Sequence, residues 1–538
     1  MKPLSIHVYS LLLLLAVAGC SKSADSQPEN VIMPENLSIT QSMETGRVIL
    51  SWSDPNSSVD GFEVSYKPVG TEQYVALAKL PADARSYVVD QEIAPDASYY
   101  FAVAAMRGDS RSYPATSLYK VIKADAIKGV RIIRTYASHA GVGVEYEPVN
   151  LFVGERKSFG LMVTRTPDES AEPILDIPAP ADLRGKSGCM QMIPITRLPK
   201  DATEIYVRAY ALGDKSRYVS EPSKVVLPEQ PAAIKLDWKE ITPDGLKGKV
   251  EVYSTTSTLN GRPFNAWYAV GNPEKSRIKR NDPATNTSLT EQAKQLSKAL
   301  VLVNGSYFYM NTTLGIYGHN GLKGVNQPLR GSLRTTHPEY NVMYHAMRGF
   351  FGVTKEGDAR VYWGGSEAGE PHLYEHPMPI LLGEAKYDSY LPEIVDKPVE
   401  WVPYYGLSGG PVVLKDGRVP VDFTAFREGD EYYLANFELM PYDIFGSDIR
   451  PDRTAVGVRE DGRIVLFVCD GRIPESKGAD LVELAQIMKG LGCKDALNLD
   501  GGGSTNMWVS GEIVNHKDIV AATGDTRAIK SIIGFFEK

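Results

Sequence analysis

The chain has 538 residues, which is too long for one hydrophobic core, so the usual domain size predicts about three domains. Its formal net charge of −8 at pH 7 argues against a nucleic-acid-binding surface, which needs clustered positive charge. After the first 20 residues, no stretch is apolar enough to cross a membrane.

The first 20 residues have the features of a secretory signal. Lys2 precedes an apolar core over residues 11–18, which is too short to span a bilayer as a mature helix. This signal segment ends in Val-Ala-Gly-Cys20, which resembles a bacterial lipobox whose cysteine is lipidated. We expect export across the inner membrane, a lipid anchor at Cys20, a polar linker over residues 21–31, and residence in the cell envelope, in the outer membrane where one exists. An ordinary signal peptide cut nearby is the alternative.

The other three cysteines, Cys189, Cys469 and Cys493, match no metal-binding spacing. Cys469 and Cys493 border the same predicted helix, so a disulfide between them is one interpretation. Buried free thiols are the interpretation that we favour.

Residues 32–124 have the pattern of an all-β domain, with three β-rich segments separated by turn residues: 48–52, 61–66 and 99–105. The order of Ile93, Pro95 and Tyr99 resembles the tyrosine corner of fibronectin type III domains. Trp52 stands where that family places its core tryptophan. The resemblance predicts a β-sandwich with Trp52 and Tyr99 in its core.

Residues 126–228 repeat this pattern more weakly and predict a second, divergent β-sandwich. The predicted strands cover residues 130–134, 143–146, 159–163 and 204–210. A Pro-rich joint at 228–231 predicts a linker, at which the third domain should be separable. Neither sandwich contains a cluster of titratable residues, and both are interpreted as spacers or carbohydrate-facing modules.

Residues 232–538 mix helical and strand patterns, and we predict a mixed α/β (α+β) domain. A helix is predicted from Ser288, with a capping box to Glu291, through residue 300. An apolar strand over 301–303 follows and ends at Asn304. Residues 365–403 carry many acids, prolines and tyrosines, which indicates an irregular insertion that serves as a lid or a specificity loop.

The pattern at the centre of this region predicts a strand, a helix and a second strand. Residues 463–469 form an apolar strand ending at Asp470, and residues 480–491 repeat apolar residues at helical spacing after a capping box from Asp480 to Glu483. The second strand, 496–499, ends at Asp500, which three glycines follow. Two parallel strands would bring Asp470 and Asp500 to one edge of a sheet. Glycine-rich N–H groups there can form an anion-binding nest.

Five motifs of this third region resemble, in order, those of the phosphodiester glycosidase family. They are residues 304–308, the Gly-Gly-Pro turn at 409–411, Arg-Thr-x-x-Gly at 453–457, Asp-Gly-Arg at 470–472, and Asn-Leu-Asp-Gly-Gly-Gly-Ser at 498–504. The first motif departs from the family, with Ser306 and Tyr307 in place of glycine and phenylalanine. The resemblance implies hydrolysis of a sugar joined through its anomeric carbon to a phosphodiester.

Such a reaction needs carboxyl groups at the anomeric carbon and charge stabilisation for the phosphate that leaves. We therefore predict Asp500 as the base or nucleophile, and Asp470 as its partner or as a group that orients the ligand. Arg453 and Arg472 are predicted to bind phosphate. The remaining predicted site residues cradle the phosphate or sugar, complete the rim or support it: Gly501, Gly502, Gly503, Ser504, Thr505, Asn304, Ser306 and Thr454.

Structural explanations stay open for these residues. Asp500 and Asp470 are common turn residues, Arg453 could form an ion pair, and the glycines could serve tight packing. Of the histidines at 319, 337, 345, 372 and 376, His345 stands three residues before Arg348, and that pair could reach the site, but an ordinary surface or core role is the interpretation that we favour for these histidines.

No cofactor is certain from the sequence. A divalent cation could bind the oxygens of Asp470, Asp500 and Asn304, but nothing has EF-hand spacing, so the metal is left unassigned. The predicted partners are a glycan or sugar-phosphate substrate, the membrane through the lipid anchor, and no nucleic acid. Two other functions stay open: a glycan-binding surface lipoprotein without catalysis, and a metal-dependent phosphodiesterase that cleaves P–O.

Overall fold

The structure is a computed structural model, and it describes residues 31–41, 46–123, 128–149, 151, 158–168, 170–179, 189–324, 347–367, 370–377, 380–382, 389–390, 396–422, 427–428, 431–432, 438 and 449–538. The chain divides into two compact units after residue 125. The expected signal and the lipidation site Cys20 lie outside the described residues. Among the helices that the structure describes, none is both long and apolar enough for a membrane span.

The first unit is a two-sheet β-sandwich, as predicted. Its strands are β1 (Glu35–Gln41), β2 (Val48–Ser53), β3 (Gly61–Pro68), β4 (Val75–Pro81), β5 (Ser86–Val88), β6 (Ala97–Arg107), β7 (Ser110–Arg111) and β8 (Ala115–Val121). One sheet has the order β1-β2-β5, and the other has β4-β3-β6-β7 with β8 on β6. The Tyr99 hydroxyl donates to the Ala94 carbonyl at 3.0 Å, which is the tyrosine-corner bond. Trp52 is buried with its ring centroid 5.4 Å from that of Phe62.

The second unit begins with another β-sandwich, which packs around its own apolar core. Its strands are β9 (Gly129–Ser138), β10 (Gly141–Val149), β11 (Ser158–Thr164), β12 (Leu175–Ala179), β13 (Cys189–Pro194), β14 (Glu204–Leu212), β15 (Arg217–Val219) and β16 (Ser223–Val226), with a 3-10 turn at Ile195–Arg197. Ile205, Val207 and Ala209 of β14 are fully buried on one face, as their alternation predicts.

The remainder of the second unit is built mainly of strands, so the predicted mixed α/β class is not confirmed. The strands before the candidate site are β17 (Lys239–Glu240), β18 (Val250–Leu259), β19 (Arg262–Gly271), β20 (Ser276–Asn281), β21 (Ala299–Asn304), β22 (Phe308–Tyr309), β23 (Thr312–Thr313), β24 (Tyr317–His319), β25 (Leu322–Lys323), β26 (Arg348–Val353), β27 (Ala359–Glu367), β28 (Glu370–Tyr374), β29 (Ile380–Leu382), β30 (Ser389–Tyr390), β31 (Tyr405–Ser408), β32 (Val412–Leu414), β33 (Arg427–Glu428) and β34 (Glu431–Tyr432). Those that follow are β35 (Arg453–Arg459), β36 (Ile464–Cys469), β37 (Cys493–Asn498), β38 (Met507–Val509), β39 (Glu512–Ile513), β40 (Ile519–Val520), β41 (Asp525–Thr526) and β42 (Ile532–Glu537). Its described α-helices are α1 (Leu289–Gln295) and α2 (Leu481–Gly490), with 3-10 turns at Asp244–Leu246 and Gly502–Ser504.

Three sheets surround the main core of this region. A seven-stranded sheet has the order β17-β18-β19-β36-β35-β37-β32, a five-stranded sheet has β20-β42-β21-β38-β39, and a six-stranded sheet has β25-β24-β31-β26-β27-β28. The seven-stranded sheet is buried on both faces: Leu466 and Val468 face the core shared with the other two sheets, and Val465 and Phe467 face the core under α2. Burial on both faces explains why β36 is a continuous apolar run instead of an alternating one.

Helix α1 is shorter than predicted. Ser288 caps it by accepting from the Glu291 N–H at 3.2 Å. The helix ends at Gln295 because Leu296 is already extended and Lys298 takes a positive φ of 63°. The apolar residues that follow, which continued the helical pattern, belong instead to β21 in the five-stranded sheet.

Helix α2 begins as predicted, with both hydrogen bonds of the capping box. The Asp480 carboxylate accepts from the Glu483 N–H at 2.9 Å, and the Glu483 carboxylate accepts from the Asp480 N–H at 3.0 Å. Cys469 and Cys493, on either side of this helix, are buried free thiols. The favoured interpretation of these two cysteines is therefore confirmed.

The two strands around α2 run parallel but do not pair with each other. β35 lies between them and is antiparallel to both β36 and β37. The crossover from β36 to β37 therefore passes over one strand. Asp470 and Asp500 still lie at the same edge of the sheet, as expected, and the first residue of β35, Arg453, lies at that edge too.

The second sandwich and the sheets that follow are joined by more than the linker. β29 pairs with β13, so two strands of the 365–403 insertion extend a sheet of the second sandwich. The Arg418 guanidinium donates to the carbonyls of Ile195 and Leu198 at 2.7 and 2.6 Å. The Gln230 side chain bridges the His139 carbonyl and the Val419 N–H. The predicted domain boundary at 228–231 stays a prediction, but a clean separation at that point conflicts with these contacts.

We therefore expect a protein that begins at Pro231 to lose cooperativity, because β29 loses its partner strand and the Arg418 guanidinium loses its buried carbonyl acceptors. A protein that begins at residue 126 retains both and should melt in one transition. Thermal melts followed by circular dichroism compare the two. Equal, cooperative melting temperatures would show that the sandwich contributes nothing to the stability of the rest.

Candidate active site

The candidate site lies at one edge of the seven-stranded sheet, where three strand ends meet. β36 ends at Cys469 and is followed by Asp470, and β37 ends at Asn498, two residues before Asp500. Because β35 is antiparallel to both, its first residue, Arg453, lies opposite Cys469. The structure thus brings Asp470, Asp500 and Arg453 to one rim.

The main chain of Asp500 is held by the end of β21. The Asn304 side-chain amide donates to the Asp500 carbonyl at 2.5 Å, and the Asp500 N–H donates to the Gly305 carbonyl at 3.1 Å. The Asp500 Oδ1 accepts from the Gly501 N–H at 3.0 Å, and the residue is half-buried. The carboxylate is therefore oriented by its own turn, in a residue that is half-buried at the rim.

Asn304 and Thr454 support this arrangement from below. The Thr454 hydroxyl donates to the Asn304 Oδ1 at 2.6 Å and lies 3.4 Å from the Thr505 hydroxyl. Asn304 also accepts from the Asn506 N–H at 3.3 Å. Both side chains are fully buried, so they orient the Asp500 turn and tie it to β35.

Asp470 has a different environment from Asp500. It is 2% exposed, and its Oδ1 accepts from the His516 N–H at 3.0 Å and from the Asn515 side-chain amide at 3.4 Å. Burial raises the pKa of Asp470 to about 6, because the ionised form loses its hydration, and the two hydrogen bonds only partly offset this. A carboxyl group with this pKa can exchange a proton near neutral pH.

The three glycines lie at the start of the short 3-10 turn Gly502–Ser504, with Gly501 as its N-cap, and they are tightly packed. Gly502 has a φ of 62°, and a Cβ there would lie 3.2 Å from an Arg472 nitrogen. A Cβ on Gly501 would lie 2.7 Å from the Asp452 carbonyl oxygen. Both positions therefore need glycine, one for its backbone conformation and one for the close approach.

Of the four N–H groups that were predicted to cradle the ligand, from Gly501 to Ser504, most already donate to groups of the protein. The Gly501 N–H donates to Asp500, the Gly502 N–H donates to the Asp452 carbonyl at 2.9 Å, and the Ser504 N–H donates to the Gly501 carbonyl at 3.3 Å. Only the Gly503 N–H makes no hydrogen bond within the described part of the chain. A ligand anion therefore depends on side chains at least as much as on this turn.

The two predicted phosphate-binding arginines differ in exposure. Arg453 is 2% exposed, and its guanidinium donates to the carbonyls of Ala479 and Ile449 at 3.2 and 3.0 Å. The side chain of Arg472 is 57% exposed and pairs with the Asp452 carboxylate at 2.8 Å. Arg472 is thus the arginine with donors at the surface of the rim, and the phosphate role of both stays a prediction.

Several buried polar atoms near this rim have no hydrogen-bond partner among the described residues. They are the hydroxyls of Ser306 and Ser504 and the side-chain amide oxygens of Asn498 and Asn506. Buried polar groups are nearly always paired in native proteins, so unpaired ones at a site indicate a ligand or bound water. Ser306 and Ser504 are among the residues predicted to contact the substrate.

We expect Ser504→Ala to reduce activity while leaving thermal stability unchanged or slightly higher. The buried hydroxyl has no partner in the described protein, so its removal costs no internal hydrogen bond. Loss of a ligand contact should lower kcat/KM by roughly tenfold. Kinetics and a thermal melt of the same preparation measure both effects. A lower melting temperature with normal kcat/KM would assign the hydroxyl to the fold.

Comparison with known proteins agrees with the motifs at this rim. The family model for phosphodiester glycosidases matches residues 297–536, and that for fibronectin type III domains matches residues 33–119. This chain carries a phosphodiester glycosidase domain. The matched region begins just before β21 and ends in β42, so it contains Asn304, Asp470 and Asp500.

Curated relatives match only part of the chain. N-acetylglucosamine-1-phosphodiester alpha-N-acetylglucosaminidase of mouse is 30% identical over 110 residues, which cover 20% of this chain and 20% of the mouse protein. The human enzyme is 31% identical over 110 residues, which again cover 20% of each chain. An uncharacterised SPbeta prophage-derived protein of Bacillus subtilis is 35% identical over 69 residues, or 13% of this chain and 11% of its own. The chain thus spans a tenth to a fifth of the length of these relatives.

Among solved structures, the catalytic domain of the zebrafish enzyme of the same name, auto-inhibited by its pro-peptide, aligns at 18% identity. The alignment covers 57% of this chain and 91% of that one, with a TM-score of 0.34. A superposition this loose adds nothing on fold or activity.

The departure at Ser306 and Tyr307 in the phosphodiester glycosidase domain has a structural explanation. Tyr307 is buried in the core under the sheet, and its hydroxyl donates to the Gly410 carbonyl at 2.6 Å while accepting from the Asn498 amide at 2.9 Å. Burial raises its pKa well above the ordinary value. The tyrosine therefore connects the Gly-Gly-Pro turn to β37 and does not replace a reacting group.

Sequence reasoning missed three groups of this domain that contact the rim. Asp452 pairs with Arg472 and accepts from the Gly471 N–H at 3.1 Å. Asn515 and His516 hold the Asp470 carboxylate from 45 and 46 residues away. Asp452 directly precedes the Arg-Thr motif, which was an available signal, whereas no local pattern marks residues 515–516.

His337 and His345 lie outside the described residues, and His319 and His372 make no hydrogen bond or ion pair to the rim within the part of the chain that the structure describes. Burial, with the positive charge of Arg197 nearby, lowers the pKa of His376 to about 4. Within the residues described, no group of three or more His, Cys, Asp or Glu side chains could hold a metal ion.

Proposed function

We propose that the phosphodiester glycosidase domain hydrolyses a sugar-1-phosphodiester at the bond between the anomeric carbon and oxygen. Water supplies the hydroxyl of the released sugar, and the phosphate leaves as a monoester. The observation that carries the proposal is the pairing, at one rim, of a half-buried carboxylate, Asp500, with a buried carboxyl of raised pKa, Asp470. Glycoside cleavage uses two carboxyl groups whose environments separate their roles.

Asp500 is the group that acts on the anomeric carbon in this proposal. Its main chain is fixed by Asn304 and Gly305, and its Oδ1 is oriented by the Gly501 N–H, so the carboxylate has a defined direction. It serves either as the base that activates water or as the nucleophile. Asp470, whose pKa is about 6, holds or exchanges a proton at the same rim.

The phosphate is the leaving group, and it needs charge stabilisation more than protonation. The exposed guanidinium of Arg472 lies beside Gly502, and it can pair with phosphate oxygens. The unpaired hydroxyls of Ser306 and Ser504 supply further hydrogen bonds to the phosphate or the sugar. The names of the mammalian relatives make N-acetylglucosamine the first sugar to test in this position.

The test is an assay of the full chain against N-acetylglucosamine-1-phosphodiesters and other sugar-1-phosphodiesters in ¹⁸O-labelled water, with and without chelator. We expect the label in the released sugar, which reports attack at carbon. Label in the phosphate would replace the proposal with a phosphodiesterase that cleaves P–O. Binding of these compounds without turnover would favour a glycan-binding protein.

We also propose that the substrate is a glycan of the cell envelope, because the lipobox-like sequence at Cys20 indicates a lipid-anchored protein. The protein should partition into detergent with the membrane fraction, and Cys20→Ala should remain as precursor or be released. Fractionation followed by mass spectrometry of the N-terminal peptide measures this. Recovery of the parent as an unlipidated species in the aqueous phase would contradict it.

A further inference from the structure

A second concave site lies at the other end of the strands that carry the candidate rim. Three turns converge there: residues 271–276 between β19 and β20, 353–359 between β26 and β27, and 459–464 between β35 and β36. They enclose a pocket of about 360 Å³. The six residues of β36 separate it from Asp470 by roughly 20 Å, at the usual rise of a strand.

The floor of this pocket is apolar and buried. Ile278, Val353 and Phe535 line it, and each is at most 5% exposed. A Cβ on Gly271 would lie 2.3 Å from the Phe535 ring, so the glycine is what allows that ring to form the floor. The floor of the pocket is therefore formed by apolar side chains that are packed into the core.

One wall is aromatic. Tyr404 and Tyr405 are both half-buried and line the pocket, with ring centroids 4.8 Å apart and planes at 78°. Two rings at right angles present a face and an edge to whatever occupies the space. Faces of this kind stack on the C–H surface of a sugar ring or on another flat apolar group.

The rim of the pocket is basic in a chain whose net charge is −8. Arg277 and Lys355 are exposed and line it, and within the described residues neither has an ion pair or a side-chain hydrogen bond. Lys355 lies 6.0 Å from the Tyr404 ring centroid. Lys538 and Arg463 also line the pocket, but Arg463 pairs with Asp461 at 2.7 Å, and Glu356 is the one side-chain acid among the described lining residues. Arg277 and Lys355, which lie beside the two tyrosines, are therefore available to a ligand.

We propose that this pocket is a binding site for a phosphorylated sugar, distinct from the candidate active site. The sugar ring packs on Tyr404 and Tyr405 above the apolar floor, and the phosphate pairs with Arg277 and Lys355. The choice of a sugar phosphate over another anionic ring rests on the proposed function of the domain. The ligand is either a free sugar phosphate or one unit of a longer phosphate-linked glycan whose reacting end lies at the distant rim.

The first experiment measures binding directly, with N-acetylglucosamine 1-phosphate titrated into the full chain by calorimetry. The double variant Arg277→Ala/Lys355→Ala should lose a binding event of the parent or weaken it by roughly tenfold or more. Both side chains are exposed, so the fold should persist. The matched control, Lys239→Ala/Lys397→Ala, removes two exposed lysines that do not line the pocket and should bind like the parent.

A second variant and two simpler probes separate the parts of the ligand. Tyr404→Leu should weaken binding of N-acetylglucosamine 1-phosphate and leave any binding of inorganic phosphate unchanged. Identical isotherms for the parent and the Arg277→Ala/Lys355→Ala protein would overturn the proposal. So would a binding event in the parent that N-acetylglucosamine without phosphate reproduces at equal affinity.

Kinetics then distinguish the two sources of the ligand. If the pocket holds a distal unit of the substrate, the double variant should raise KM for an oligomeric sugar phosphate and leave KM for a monosaccharide phosphodiester unchanged. If the ligand is free, added N-acetylglucosamine 1-phosphate should change the rate of the parent and not that of the double variant. Loss of binding in the double variant with no hydrolysis by the parent would refute the proposed function alone.

Discussion

Asp500→Asn should abolish most of the activity and leave the fold intact. The amide is nearly isosteric with the carboxylate, and its oxygen can still accept from the Gly501 N–H. The hydrogen bonds that hold this turn, from the Asn304 side chain and to the Gly305 carbonyl, involve only the main chain of Asp500, so the substitution does not change them. The negative charge that a base or nucleophile needs is lost, so turnover should fall by about a hundredfold or more.

The deciding measurement is activity per folded molecule, with a thermal melt of the same sample. Asp244→Asn is the matched control, since the side chain of Asp244 is 94% exposed in the same domain. That control should keep parental activity and stability. A folded Asp500→Asn protein with near-parental specific activity would remove Asp500 from the chemistry and leave Asp470 as the next candidate.

Asp470→Asn should also lower turnover by about a hundredfold, and in addition it should change how stability depends on pH. The pKa of Asp470 is about 6 in the folded protein, against about 3.9 for an unperturbed aspartate. Between these values the folded state binds more protons than the unfolded state. The contribution of this group to stability therefore falls as the pH rises from about 4 to about 6.

Asparagine does not titrate, and its oxygen can still accept from the His516 N–H and the Asn515 amide. Asp470→Asn should therefore melt higher than the parent at pH 8, with the difference shrinking below pH 5. The limb of the kcat/KM profile that titrates near pH 6 should disappear. Melting temperatures and rates across pH 4–9 measure both. An equal stability difference at every pH would show that Asp470 does not titrate in this range.

Much of the architecture was readable from local patterns. The capping box of α2 requires only Asp480 and a glutamate three residues later, so spacing was sufficient to predict it. A strand buried on both faces is a continuous apolar run, which is why β36 was recognisable, along with the carboxylate that follows it. The tyrosine corner of the first unit likewise depends on residues close in sequence, Ala94 and Tyr99.

Local patterns failed where a segment was suitable for two structures. The apolar residues after Gln295 fit a longer α1, and pairing with β42 in the sheet decided for a strand instead. The 365–403 insertion contained no indication that β29 would extend a sheet of another sandwich, because strand pairing depends on backbone groups that every residue has.

The sequence by itself determined the identities of the candidate site residues and the sheet edge to which Asp470 and Asp500 are delivered. The tertiary structure alone decided their environments. It inserted β35 between the two parallel strands, buried Arg453 against backbone carbonyls, and brought residues 515–516 onto Asp470. The physical reason is that a pKa depends on burial and on hydrogen bonds from distant parts of the chain. Two aspartates that follow similar strands therefore differ: Asp500 is half-buried at the rim, and Asp470 is buried with a pKa of about 6.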